Sequence, residues 1–329
     1  MLRVMKIIHL SDLHISGTKS ESRDLDELFK NVARKKPDHI VITGDITNSG
    51  KDIEYEQVIK SLKKHQLFSR DKLTVIPGNH DLYPCMFSYF SSEDELSEVI
   101  SNPKTLPAFA KRLFSVIQNL SSYEDGEYKE ALDKFKGYFS ELFVGAKDFG
   151  NSDTGGFPYV KMISDASLVC VDSNFVDPAA SFSGARSGIW DFLRGNLIGA
   201  LYNISDNPLC SNGDVNGSFL DDALASTIHK GKYKIVLMHH YLYSLATVTA
   251  FNGEFFAETM GLYPNSRRKV IRLSRERNVD MILHGHWHIT EDYWVGKNTL
   301  HVLNGGGIWD GTYNTITINN AIIVTETSW

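Results

Sequence analysis

Five short polar turns, each at or just beyond the end of an apolar run, constrain this chain more than any other feature. Asp12-Leu13-His14 follows Val4–Leu10, Gly44-Asp45 follows His39–Thr43, and Gly78-Asn79-His80-Asp81 follows Leu73–Ile76. His239-His240 follows Lys234–Met238, and Gly285-His286-Trp287-His288 follows Val279–Leu283. Short apolar runs bounded by such turns read as buried strands. Helix-like stretches, Glu21–Lys36 and Ile53–His65, separate the first three. Strand, turn and helix in repetition specify an α/β fold with a parallel or mixed sheet. In such folds ligands bind beyond the carboxyl ends of the strands, where these turns lie. A further strand is expected at Ser167–Val171, and alternation from Leu300 to Val324 around Gly305-Gly306-Gly307 predicts more.

Two segments interrupt this pattern. Residues 83–150 carry only helical periodicity. Leu106, Phe109, Leu113, Ile117 and Leu120 share one face, and Leu132, Phe135, Phe139 and Leu142 another, which predicts a helical insertion without strands. Residues 250–270 read as an apolar and basic loop insertion, with Phe251, Phe255, Phe256 and Met260 before Arg267, Arg268 and Lys269. The Gly-, Ser- and Asn-rich stretch 174–217 reads as a surface excursion. The 329 residues are thus expected to form a single domain with insertions.

Lys and Arg number 34 against 40 Asp and Glu, a net charge of −6 that argues against a nucleic-acid partner. The three cysteines share no CxxC spacing and suggest a reducing compartment. No run of eighteen apolar residues is present, and MLRVMKIIHL is too short for a secretory signal. The expected location is cytoplasmic. Basic residues beside the apolar insertions allow peripheral contact with the inner face of the membrane.

The spacing inside the turns points to chemistry. On an extended segment, alternate side chains face the same way, so Asp12 with His14, and His286 with His288, can each reach one pocket. The strings SDLHIS, TGDITNSG, PGNHD, the His239-His240 pair and GHWH stand in the order of the calcineurin-like metallophosphoesterases, which this sequence resembles from Asp12 to His288. That resemblance implies a β-sandwich flanked by helices and a centre of two divalent metal ions. One would be held by Asp12, His14 and His288, the other by Asn79, His239 and His286, with Asp45 bridging. His80 would be the catalytic residue that stabilises the transition state and protonates the leaving group, with Asp81 orienting it. Two carboxylates, one amide oxygen and four imidazoles, with no thiolate, suit Mn²⁺ first, and Fe or Zn²⁺ as alternatives. His9, His39, His65, His229 and His301 read as structural or solvated, and His240 and His284 as neighbours of the ligands.

The substrate is less constrained. The insertions resemble those of the UDP-diacylglucosamine pyrophosphohydrolases of lipid A synthesis, implying hydrolysis of a nucleotide-linked or lipid-linked pyrophosphate to UMP and an acylated sugar phosphate. Tyr241-Leu242-Tyr243 after the double histidine departs from the prolines usual in the cyclic-nucleotide and glycerophospho-diesterases, which are the alternative. A catalytically inactive partner-binding scaffold is the alternative from another class. It would need neither metal, whereas all seven candidate ligands and His80 are present. Nothing in the sequence specifies an oligomeric state.

Overall fold

Two sheets account for every strand of this computed structural model, which describes residues 4–82, 125–152, 154–174, 213–227, 233–242, 262, 264–296, 299–307, 311–319 and 321–328. The first contains parallel strands β1 (Met5–Leu10), β2 (His39–Thr43) and β3 (Leu73–Ile76). The second contains β4 (Lys147–Asp148), β5 (Tyr159–Ile163), β6 (Ala166–Cys170), β7 (Tyr233–Leu237), β8 (Met281–His284), β9 (Thr290–Val295) and β10 (Leu300–Gly305). Its order is β4-β5-β6-β7-β8-β10-β9, with β6, β7, β8 and β10 parallel in the middle. Strands β11 (Thr312–Asn319) and β12 (Ala321–Ser328) complete the first sheet as β12-β11-β1-β2-β3.

The period of two in each central strand sorts side chains between two cores. Leu168 and Cys170, Ile235 and Leu237, and Met281 and Leu283 join Ile7, Ile40 and Val75 of the first sheet in one core. The intervening Val169, Val236 and Ile282 pack instead with α5 (Gly217–Ser226) and α6 (Pro264–Glu276), through Leu220, Leu224, Val270 and Leu273. Helices α1 (Lys19–Arg34) and α2 (Asp52–Lys64) add Leu25, Phe29, Val32, Tyr55 and Val58 to the first core. Thr18 and Glu21 form a capping box that satisfies the donors opening α1. The result is the expected β-sandwich flanked by helices. No helix among the described residues is long and apolar enough to cross a membrane.

Four features differ from the sequence reading. Within 83–150, α4 (Asp125–Tyr138) is helical as expected, but β4 lies inside the segment and pairs with β5 beyond it. A two-residue strand has no alternation to detect. Residues 83–124, with the helix expected over Leu106–Leu120, lie outside the described residues. Within 250–270 the chain is helical from Pro264, not a loop, because Val270 and Leu273 present one buried face and proline opens a helix without losing a bonded N–H. The rest of that insertion, apart from buried Leu262, also lies outside the described residues. Strand β5 is hidden in the sequence because Lys161 breaks its apolar run, yet this lysine is buried and donates to the Leu73 and Leu142 carbonyls at 2.6 and 3.3 Å. Strand β9 is hidden because it is an edge strand that opens on Thr290-Glu291-Asp292 and has no fully buried residue.

Helix α4 is part of the body of the protein. Phe135 and Phe139 are fully buried, with ring centroids 5.0 Å apart, and Tyr138 stacks on Tyr55 at 4.7 Å. Phe135→Ala is therefore expected to cost about 3–5 kcal/mol of stability by chemical denaturation. An element that merely covered the surface would give almost none.

Candidate metal centre

The polar turns leave their strands in unusual backbone geometry. Nine non-glycine residues among those described have positive φ, and five are Asp12 (53°), His14 (44°), Asp45 (49°), His286 (77°) and His288 (54°). Non-glycine residues adopt this left-handed region at a cost and cluster there at functional sites. The strand-alternation argument for Asp12 with His14 and His286 with His288 is thus corrected. These pairs lie past the ends of β1 and β8, and left-handed turns rather than pleat direct them. Backbone bonds from Asp12 N to Gly44 O (3.1 Å) and His14 N to Asp45 O (2.9 Å) join the first turn to the second. A Cβ at Gly78 would fall 2.1 Å from Asp45 Oδ1, so only glycine lets the third turn approach.

Two groups of donors result. Asp12, His14, Asp45 and His288 form one, and Asp45, His239 and His286 the other, each with its donor atoms within 4.8 Å of one another. His14 Nε2 lies 2.9 Å from His288 Nε2 and 3.6 Å from Asp45 Oδ2, and His288 Nε2 lies 3.6 Å from Asp12 Oδ1. In the second group His239 Nε2 is 3.3 Å from Asp45 Oδ2. Asn79 Oδ1 joins it, 2.8 Å from His239 Nε2 and 3.0 Å from His286 Nδ1. All seven residues singled out from the sequence therefore converge, and Asp45 belongs to both groups.

The donor chemistry fits divalent cations. His239 Nδ1 faces the Thr43 carbonyl at 2.9 Å, an acceptor only, so Nδ1 carries the proton. In the neutral ring Nε2 then presents a lone pair to two further acceptors, Asn79 Oδ1 and Asp45 Oδ2. Such a cluster calls for positive charge at its centre. Burial lowers the basicity of His239, but Asp45 outweighs it, with Asp12 and the Thr43 carbonyl, pushing the ring up to about 9. Burial holds His14 and His286 well below the usual imidazole range, leaving both neutral, as ligands must be. Asp12 is raised by burial. At Asp45 burial acts the same way, but His239, His80 and His14 outweigh it and hold the carboxyl well below the ordinary range.

The His239 proton makes metal uptake pH-dependent. Below about 9 the ring is protonated in the metal-free protein, and an incoming cation must displace that proton. Affinity is expected to rise as pH increases from 6 toward 9, with proton release on binding. Calorimetry in two buffers of different ionisation enthalpy would measure it; a pH-independent affinity would contradict it.

His80 lies outside both donor groups but against them, its ring centroid 4.6 Å from that of His14. Its backbone N donates to Asp45 Oδ1 at 2.8 Å, and its Nδ1 lies 3.0 Å from the Asn48 carbonyl. The expectation that Asp81 orients this ring is corrected. The Asp81 carboxylate accepts instead from Ile46 N, Thr47 N, Thr47 Oγ1 and Gly78 N at 2.7–3.2 Å, tying the second turn to the third. Four donors on one buried carboxylate leave the imidazole to a carbonyl.

Ser173 also supports the centre, and its role was not legible in the sequence. Its Oγ accepts from His239 N and His240 N at 3.2 and 3.0 Å and meets His240 Nδ1 at 3.0 Å. The only signal was its place in the Val171–Asn174 turn. Among the other histidines, His9 pairs with Thr43, His39 with Thr74, His65 with Asp26 and His301 with Asp292. His284 reaches Tyr293, and His229 lies outside the described residues.

The family described as Calcineurin-like phosphoesterase matches residues 5–290. The glycerophosphodiester phosphodiesterase GpdQ of Enterobacter lignolyticus (strain SCF1) is 26% identical over 198 residues, covering 55% of this chain and 64% of that protein. The match thus spans under two thirds of the relative. The fold is similar to that of a dimetal phosphatase from Danio rerio, with a TM-score of 0.55 and 12% identity over 97% of this chain and 98% of that one. It is also similar to purple acid phosphatase PPD1 from yellow lupin (Lupinus luteus) seeds, with a TM-score of 0.55 and 11% identity over 100% of this chain and 52% of the other.

Proposed function

The chain belongs to the calcineurin-like phosphoesterase family, and from that premise we propose that it hydrolyses phosphodiesters with two divalent metal ions. The observation that carries this reading is the membership of Asp45 in both donor groups. Asp12, His14 and His288 would hold one ion and Asn79, His239 and His286 the other, with Asp45 between them. When bound, the ions supply Lewis acidity toward a phosphoryl group and toward water. Mn²⁺ is our first assignment, with Fe or Zn²⁺ the alternatives for the same donors.

The protein's own groups do the rest. The Thr43 carbonyl fixes the His239 ring, as outer partners fix ligating imidazoles. The Asp12 carboxylate accepts the His286 N–H at 3.0 Å and so sets the last turn against the first. The Asn48 carbonyl holds His80 Nδ1–H, so passing a proton to the departing oxygen would fall to Nε2 of the doubly protonated imidazolium.

The likeness to GpdQ favours a phosphodiester over a pyrophosphate. UDP-diacylglucosamine hydrolysis is the second reading. It rests on the two insertions, and the parts of them described, α4 and α6, pack against the cores through Phe135, Val270 and Leu273. The test is purified protein with Mn²⁺ and, separately, bis(p-nitrophenyl) phosphate, a glycerophosphodiester, cyclic AMP and UDP-diacylglucosamine. Diester turnover that EDTA abolishes and Mn²⁺ restores is the expected result. UMP release from UDP-diacylglucosamine without diester turnover would overturn it in favour of the second reading. Bound metal with no turnover of any of the four would overturn both and leave a binding scaffold.

A further inference from the structure

Trp287 stands between two of the residues of the centre, His286 and His288, in the turn after β8. Consecutive Cα atoms are about 3.8 Å apart, so the indole is rooted one residue from both donor groups. It is not packed away: the residue is partly exposed, beside His288, whose side chain is 51% exposed, and Ile289, at 37%. Residues 287–289 thus reach solvent in the same turn that carries two of the donors. One face of the indole is backed by Tyr241, with ring centroids 6.0 Å apart and planes inclined by only 28°.

Tyr241 is itself a firm base. It is 4% exposed, its carbonyl accepts Leu262 N, and its ring meets the buried His284 edge-on at 5.3 Å. It follows directly on His239-His240, so the platform is anchored to the turns that carry the donors. A flat, partly exposed indole supported from below has the geometry that stacks a planar heterocycle.

We propose that Trp287 stacks the base of a nucleoside-containing phosphodiester, placing its phosphorus over the paired donor groups. The proposal deepens the phosphodiester reading and rests on it. It distinguishes nucleoside diesters from diesters of simple alcohols, which offer the indole no ring.

The test compares AMP with ribose 5-phosphate, which differ by the base alone, by calorimetric binding to the Mn²⁺-loaded protein. AMP is expected to bind about tenfold or more tightly, the scale of base–aromatic stacking. In Trp287→Leu the ratio of the two affinities should fall to near one, and Trp287→Phe should retain part of it. AMP, and not ribose 5-phosphate, should also quench indole emission in the wild type, and Trp287→Phe should remove that quench. This second comparison needs only the conservative variant, should the leucine variant fail to fold. Equal affinities in the wild type, or a base preference that survives in Trp287→Leu, would overturn the stacking role. Because both readouts are binding, they are separate from the turnover assays that test the phosphodiester reading.

Discussion

Replacing His80 with alanine is expected to lower kcat by about 10²–10⁴-fold while both metal ions stay bound, the loss typical of removing a positioned proton donor. The ring lies outside both donor groups, so metal content measured by mass spectrometry should match the wild type. Its Nδ1–H is committed to the Asn48 carbonyl, so the ring donates from Nε2 only as the imidazolium, which carries a proton on both nitrogens. The loss should depend on the leaving group. An alkoxide needs a proton to depart and should show the full effect, whereas p-nitrophenolate departs without one and should show less. Equal losses on both substrates would remove the proton-donor role, and loss of metal would make His80 a structural residue.

Asp45→Asn should be more damaging still. The substitution keeps the shape and an acceptor oxygen, but removes the one charge shared between the groups, 3.6 Å from His14 Nε2 and 3.3 Å from His239 Nε2. Charge stabilisation of several kcal/mol is at stake, so turnover is expected to fall by at least about a thousandfold, with bound metal reduced below two equivalents. The metal-free protein should also lose stability at neutral pH. A carboxyl held well below its ordinary range stabilises the fold above its unfolded pKa, and that contribution disappears as pH falls through the folded value. The gap in stability between wild type and variant should therefore narrow under acid conditions. Retention of two metal equivalents in the variant would contradict the sharing of Asp45.

The sequence exposed the ends of strands far better than their surroundings. β2 and β3 match their expected ranges, and β1, β6, β7 and β8 differ by one or two residues, because buried parallel strands are short apolar runs with polar turns after them. All seven donors and His80 lie in such turns, which is why the centre was legible. The supports were not. The carbonyls of Thr43 and Asn48 fix two imidazoles, and a carbonyl has no residue type to read. Asp81 stands beside His80 in sequence, and its proximity suggested a partnership that four backbone and hydroxyl donors displace. Strand alternation gave the right neighbours for Asp12 and His14 by the wrong geometry, since φ cannot be read from spacing.

The left-handed conformation of Asp12, His14, Asp45, His286 and His288 bears on how such a chain drifts over generations. At each position glycine would relieve about 1–2 kcal/mol of crowding between Cβ and the following carbonyl. A lineage released from catalysis should gain stability where glycine replaces His14, His286 or His288, and lose it at Asp12 and Asp45, whose carboxylates accept the His286 and His80 backbone N–H.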